Sequence, residues 1–535
     1  MSTAELNFTV GDLEVVVGAE GFPVRVRCIS RPGQDYLAAQ RAPGELIMDD
    51  RIQRWEPAGL ITDVDETEAR YAVADHPHLE YTVRNSFSGH WQQRHMLVNT
   101  SSSPVRINRW LSPVAPAAGC VGWAAAIGGD AFWAVQPADG NGPLLTAELI
   151  QGSVTELVGG DVPGLATGEI MLPANRRVVL QWRIDTAADT AHINRSRRPV
   201  LSGLIDLGMN EPYEIADADS AVVADDPVVV TTEGDVQVLS TGRPGRYPVE
   251  LRSGRGTTRI DLAWIPPVDE LITDLSRSWL DRRTAAGVGV VPGPGAALGL
   301  QQAVIGRLAD DLDDAEDALA LHTERLLGAA ELSIMSQAYL AQESVRTGDP
   351  EPLRHARAAV LASDRPVPGL GLAATRVCLA DLALGGSPAA VIARLRELAA
   401  ESGNDGDHRS DDHLVRAAAR LELITVIGPS AARNTEETVR SAMAVGAELG
   451  SGLPGARIGG LPAGPACYAA AVLDLLPDSL GADLERRWGV SAHTLADRIR
   501  TSALATTLFP PDAADRGSAD LDETIGWLVL GRPAG

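Results

Sequence analysis

Residues Leu79 to Val114 read LEYTVRNSFSGHWQQRHMLVNTSSSPVRINRWLSPV. Leu79, Tyr81 and Val83 alternate with Glu80, Thr82 and Arg84, the period-2 pattern of a strand with one buried face. Trp91 to Asn99 and Val105 to Leu111 form two more extended runs, joined by the turn chemistry of Asn99-Thr100-Ser101-Ser102-Ser103-Pro104. The stretch predicts three consecutive antiparallel strands.

The same signals extend outward from Leu6 to about Pro267. Val24, Val26 and Cys28 alternate with arginines, Val178 to Ile184 alternates around Trp182, and Ile260, Leu262 and Trp264 do the same. Gly, Pro, Asn and Asp punctuate these runs at short intervals, and no long helical pattern intervenes. Ile265-Pro266-Pro267 closes the half, because paired prolines can neither continue a sheet nor start inside a helix. Beyond Val268 the period changes. Leu298, Ile305, Leu308, Leu312 and Leu319 recur at helical spacing, Asp349-Pro350 and Ser387-Pro388 read as helix starts, and Gly385-Gly386 and Gly428-Pro429 as stops. About a dozen helices are expected, packed as antiparallel hairpins. The predicted organisation is therefore an antiparallel β domain over 1–267 and an all-α domain over 268–535.

A chain of 535 residues with a net charge of -25 repels phosphate, which argues against nucleic acid and anionic membrane as partners and leaves neutral carbohydrate open. All 46 basic residues are arginine. Without lysine there is no P-loop lysine, no kinase strand lysine and no Schiff base to pyridoxal phosphate. Arg-rich codon usage explains the absence; selection against lysine-directed modification is a second explanation. The four cysteines are scattered without a C-x-x-C pair, and the N-terminus lacks a basic and apolar leader pattern, so a cytoplasmic protein is expected.

The run Arg94 to Asn99, the serine-rich turn and the return run Pro104 to Ser112 resemble a segment of the galactose-mutarotase-like β-supersandwich, as does Leu172-Pro173-Ala174 ahead of Val178 to Ile184. With helical hairpins following, the layout resembles glycoside hydrolases and phosphorylases in which a supersandwich precedes an α/α toroid. The resemblance implies a carbohydrate-active or carbohydrate-binding protein, acting if at all through paired carboxylates, with its site where the halves meet. The alternative is a catalytically inactive scaffold or interaction protein that keeps the fold, with a protein partner. Low aromatic content after Pro266 favours that alternative.

Candidate catalytic carboxylates are Glu331, set among small and apolar neighbours where burial would raise its pKa, together with Asp411, Asp412 and Glu523. Solvated helix faces are the competing reading, and Ser410, Asp411 and Asp412 also suit a helix cap. Trp91, Arg94, His95 and Trp110 are candidate saccharide contacts; a strand histidine satisfied by its neighbours competes with a ligand role for His95. Gly293-x-Gly295-x-x-x-Gly299 lacks the βαβ context of a dinucleotide loop and reads as a turn between helices. Neither a metal site nor a cofactor is expected.

Overall fold

The computed structural model describes residues 5–127, 130–158, 163–196, 204–215, 221–253, 256–286, 292–401, 413–427, 432–453, 455–510 and 518–532. It is a β-then-α fold: an antiparallel supersandwich followed by an α/α helical-hairpin array. The last long strand ends at Ile265 and the first long helix begins at Val268.

The large sheet runs, edge to edge, Ala456–Arg457, Cys120–Ile127, Asp130–Pro137, Leu144–Gln151, Arg177–Ala187, Trp91–Asn99, His76–Ser86, Glu66–Val73 and Trp55–Thr62. Its strands alternate in burial, Trp91–Asn99 most cleanly, so one face turns to a second sheet built from Glu156–Val158, Gly164–Thr167, Arg109–Pro113, Leu46–Met48 and Arg51–Ile52. The two sheets enclose a core that includes Trp91, Trp110, Trp133 and Trp182.

Two of the three strands expected from Leu79 to Val114 pair as anticipated, Leu79 opposite Asn99 and Ser86 opposite Gln92. The third does not return alongside them. It divides into Val105–Ile107 and Arg109–Pro113 and crosses to other sheets. Asn99 directs the departure: its Nδ2 donates to the carbonyls of Ser103, Leu172 and Pro173, while its Oδ1 accepts from Ser101 N–H and Oγ. The asparagine thus acts as an Asx turn that points the chain away from the sheet.

Fourteen helices lie among the described residues: α1 Thr190–Ser196, α2 Val268–Ala286, α3 Pro294–Ile305, α4 Leu312–Leu327, α5 Ile334–Thr347, α6 Pro350–Ala362, α7 Leu370–Ala383, α8 Ala389–Glu401, α9 His413–Ile427, α10 Ala432–Glu448, α11 Ala463–Leu473, α12 Asp478–Trp488, α13 Ala492–Leu508 and α14 Ser518–Leu530. Caps follow the sequence signals, with Asp349 accepting from Glu351 N–H at the start of α6 and Asp311 from Asp314 N–H at the start of α4. Gly428-Pro429 lies outside the described residues. The contacts α3 to α5, α5 to α7, α7 to α9, α9 to α11, α11 to α14 and α14 back to α3 close a ring. Gly295 and Gly299 are not turn residues as expected; they lie within α3 where it meets α14. A Cβ on Gly295 would sit 1.7 Å from the Asp522 carbonyl oxygen, so only glycine permits this approach.

The halves interlock. Ala456–Arg457, from the helical part, pairs antiparallel with Ala124 and Trp123 of the large sheet, while Trp123 Nε1 and Gln136 Nε2 both donate to the Ala447 carbonyl. Gly455 makes the approach sterically feasible: at φ 106° its Cβ position would lie 2.3 Å from the Ala124 carbonyl oxygen. Gly460 also has positive φ but faces open space. Gly460→Ala is therefore expected to cost only the left-handed strain of about 1–2 kcal/mol, and Gly455→Ala about 1–3 kcal/mol more by forcing the strands apart. Thermal unfolding of the two variants side by side checks this; equal losses would show that the contact between halves is not tight.

Candidate functional site

Directly opposed residues of antiparallel strands share a face, so the register defines rows across the large sheet. One row runs Trp91, Ile184, Ala147, Trp133. The next runs Thr67, Asn85, Gln93, Trp182, Leu149. Trp91 and Trp133 stand three strands apart, roughly 14 Å at the usual strand spacing, with Ile184 and Ala147 between them. The loop from Leu37 to Glu45 and the segment Ser112 to Ala115 cross this face and leave a cavity of about 360 Å³, walled by Trp91, Trp133 and Trp182 and rimmed by the exposed Ala38, Ala39 and Ala42. That volume falls within the roughly 300–1,000 Å³ of small-molecule sites.

A polar network backs the wall. Asn85 Oδ1 accepts from Trp91 Nε1 and Gln93 Nε2, both at 3.2 Å, and Asn85 Nδ2 donates to the Gly21 carbonyl and Thr67 Oγ1. Gln93 Oε1 lies 3.1 Å from His95 Nε2, and His95 Nδ1 lies 2.6 Å from Tyr81 Oη. Burial holds the His95 pKa down at about 4 and pushes Tyr81 well above its ordinary range. The imidazole is thus neutral: the phenol donates to Nδ1, and Nε2–H donates to Gln93. Every polar atom in this chain of contacts has a partner. Trp182 Nε1 is buried with no partner among the described residues, and such an N–H costs about 1–3 kcal/mol if left unpaired.

The helical ring offers carboxylates at its centre. α11 is buried along almost its whole length by alanines, Cys467, Tyr468 and Val472, so small side chains fill the middle. Glu422 of α9 is wholly buried there. Its oxygens accept from Tyr468 Oη at 2.5 Å and from the backbone N–H groups of Leu372 and Gly369 at the start of α7, at 2.5 and 3.0 Å. Burial outweighs these donors and raises its pKa to about 7. The Tyr468 ring lies 4.7 Å from that of Trp527, whose Nε1 donates to Glu523 Oε1 at 3.2 Å. Where the halves meet, Glu448 is ion-paired to Arg457 at 2.7 Å, and its Oε1 lies 3.1 Å from His413 Nδ1.

The residues anticipated from sequence are dispersed. Glu331 is exposed in the connection between α4 and α5, neither helical nor buried, because its apolar neighbours begin the next helix while it remains outside. Glu523 is exposed on α14, and Asp411 and Asp412 lie outside the described residues, as does the cap suggested for them. Trp91 lines the cavity; His95 sits four residues further along the strand on the same face, satisfied by its neighbours. Trp110 is buried against Tyr81, edge to face at 6.0 Å, and serves the core. Arg94, between Gln93 and His95 in an alternating strand, turns to the opposite face. Sequence reasoning missed Trp133, Trp182 and Gln93, which only strand pairing brings together. It also missed Glu422, although a lone glutamate inside Leu421 to Ile427 was a readable sign of a buried carboxyl.

No protein-family model and no curated protein matches the sequence. The fold is similar to the solved structure of a polysaccharide lyase, with a TM-score of 0.68 over 93% of this chain and 94% of that one, at 10% identity. At that identity the likeness shows the fold alone. It supports the β-then-α architecture and gives no support to a glycoside hydrolase in particular. Partial likenesses to a heparinase III (TM-score 0.24, 7% identity, 49% of this chain and 41% of that) and to heparan sulfate lyase HepC from Pedobacter heparinus (TM-score 0.23, 8% identity, 47% and 39%) are too slight to argue from. Among the described residues no group of three metal-ligating side chains converges, and no helix is long and apolar enough to cross a membrane.

Glu422 gives a pH signature. Its folded pKa, about 7, exceeds the ordinary 4.5, so between those values the native state keeps a proton that the unfolded chain has released. Its contribution to stability is complete below about pH 4.5 and declines as pH rises toward 7. Thermal unfolding from pH 5 to 8 is expected to show a steeper fall for the native chain than for Glu422→Gln; parallel profiles would refute the assignment.

Proposed function

We propose that the chain binds a saccharide in the tryptophan-walled cavity of its β half and does not turn it over. The observation that carries this reading is the cavity itself: about 360 Å³, three indoles, and few polar groups. Indole faces pack against the C–H faces of a sugar ring, while a small number of fixed donors and acceptors orient it. The lyase-like fold agrees with a saccharide ligand but specifies no chemistry. We assign the cavity to a β domain of residues 1–267 and the ring to an α domain of 268–535.

A second reading, turnover at the centre of the helical ring, is favoured by Glu422 and Glu523. One has a pKa near neutral, the other is exposed, and the Tyr468 and Trp527 rings lie between them. Acid and base catalysis needs such a contrast. Binding without turnover is the better supported because Glu422 is fully buried with both oxygens engaged as a brace for α7 and α11.

The test is titration of tryptophan fluorescence with a panel of neutral and acidic oligosaccharides, followed by long incubation. Quenching by at least one saccharide is expected, weakened about tenfold or more in Trp133→Ala, with no new reducing ends and no unsaturated product. Product formation that is lost in Glu523→Gln would establish turnover and overturn the binding-only reading.

A further inference from the structure

We infer that the cavity selects a neutral saccharide and rejects its uronic acid counterpart. The inference rests on the saccharide reading of the cavity and adds the ligand's charge. Of the residues that line the cavity, Glu45 is the one that ionises, and it has no ion-pair partner among the described residues. The cations of the same strands point elsewhere. Trp182 and Ile184 face the cavity, so Arg183 between them faces away, where it pairs with Glu148 at 2.5 Å. Arg94 alternates with Trp91 and Gln93 in the same manner. Arg41 is exposed in the loop between Gln40 and Ala42 and is not part of the lining.

A carboxylate placed among these indoles would therefore lose water, meet no cation and face a like charge, three penalties that act in one direction. A hydroxyl in the same place meets groups that suit it. Glu45 accepts from a hydroxyl hydrogen, and Gln40 and Ser112, the polar lining residues besides Gln93 and Glu45, are uncharged. Gln93 is already engaged on both ends and fixes the wall, not the ligand.

The same indoles with one carboxylate would also suit a quaternary ammonium. The row geometry favours a sugar: the two row-end indoles belong to strands roughly 14 Å apart with Ile184 and Ala147 between them, a width for a ring and not a close cage around one cationic head.

The experiment is a calorimetric and fluorescence titration of the full chain with D-glucose, D-galactose and D-mannose, with the three matching hexuronates, and with choline. The expected result is binding of at least one neutral hexose, with its uronate weaker by tenfold or more. In Glu45→Gln that gap narrows. A uronate bound as tightly as its neutral partner overturns the charge inference and leaves the saccharide site standing. Choline binding in place of sugars overturns both. No response to any probe, from a chain whose unfolding transition is intact, overturns the cavity reading itself.

Discussion

The antiparallel register between Trp91–Asn99 and Arg177–Ala187 is the constraint on which the β half depends. Because side chains alternate along a strand, a slip of one residue would exchange Trp182 and Ile184 for Gln181 and Arg183, and the cavity wall would become a charged surface. The pairing is held where a slip costs most. Asn99 is tied at one end to Leu172 and Pro173, and the row Thr67, Asn85, Gln93 is fixed across three strands by amide hydrogen bonds. Polar residues buried in this way stabilise little on balance, yet any alternative register would leave their donors unmet. The network behind the indoles thus sets the position of the indoles.

In the helical half the corresponding constraint is closure of the ring. α14 reaches α3 at a distance that only Gly295 permits, and Asp522 accepts from the N–H groups of Gly295 and Ala296, satisfying the free donors at the start of α3. Glu422 does the same for α7 from the neighbouring helix α9. These carboxylates cap helices other than their own. This role accounts for an acidic residue in a fully apolar setting without requiring it to react with anything.

Much of the architecture was legible in the sequence. Period-2 runs gave way to helical spacing at Pro266-Pro267, and the proline-led helix starts fell where expected, because both signals are local. The site was far less legible. Trp91, expected from its strand, lines the cavity, but Trp133 and Trp182 join it only through pairings between strands distant in sequence, and Glu331 is exposed where burial was expected because apolar neighbours in sequence are not neighbours in space. The third strand of the opening stretch failed for a related reason: alternation shows that a run is extended without showing which sheet receives it. The resemblance to hydrolases carried the fold and not the chemistry, as a shared scaffold does in general.

The short strand Ala456–Arg457 bears on how the chain reaches this state. The large sheet is finished on one side by residues that leave the ribosome roughly 330 positions after the strand they cover, Ala124 being paired with Ala456. Until then the Cys120–Ile127 edge presents unpaired backbone groups, the kind of surface to which another nascent chain can add. The opposite edge, Trp55–Thr62, carries its own protection in Pro57 and the register shift at Gly59. One edge of the sheet is thus guarded by composition from the moment it forms. The other depends on the later synthesis of Ala456–Arg457, so a chaperone would be of most use to this protein in the interval between these two strands.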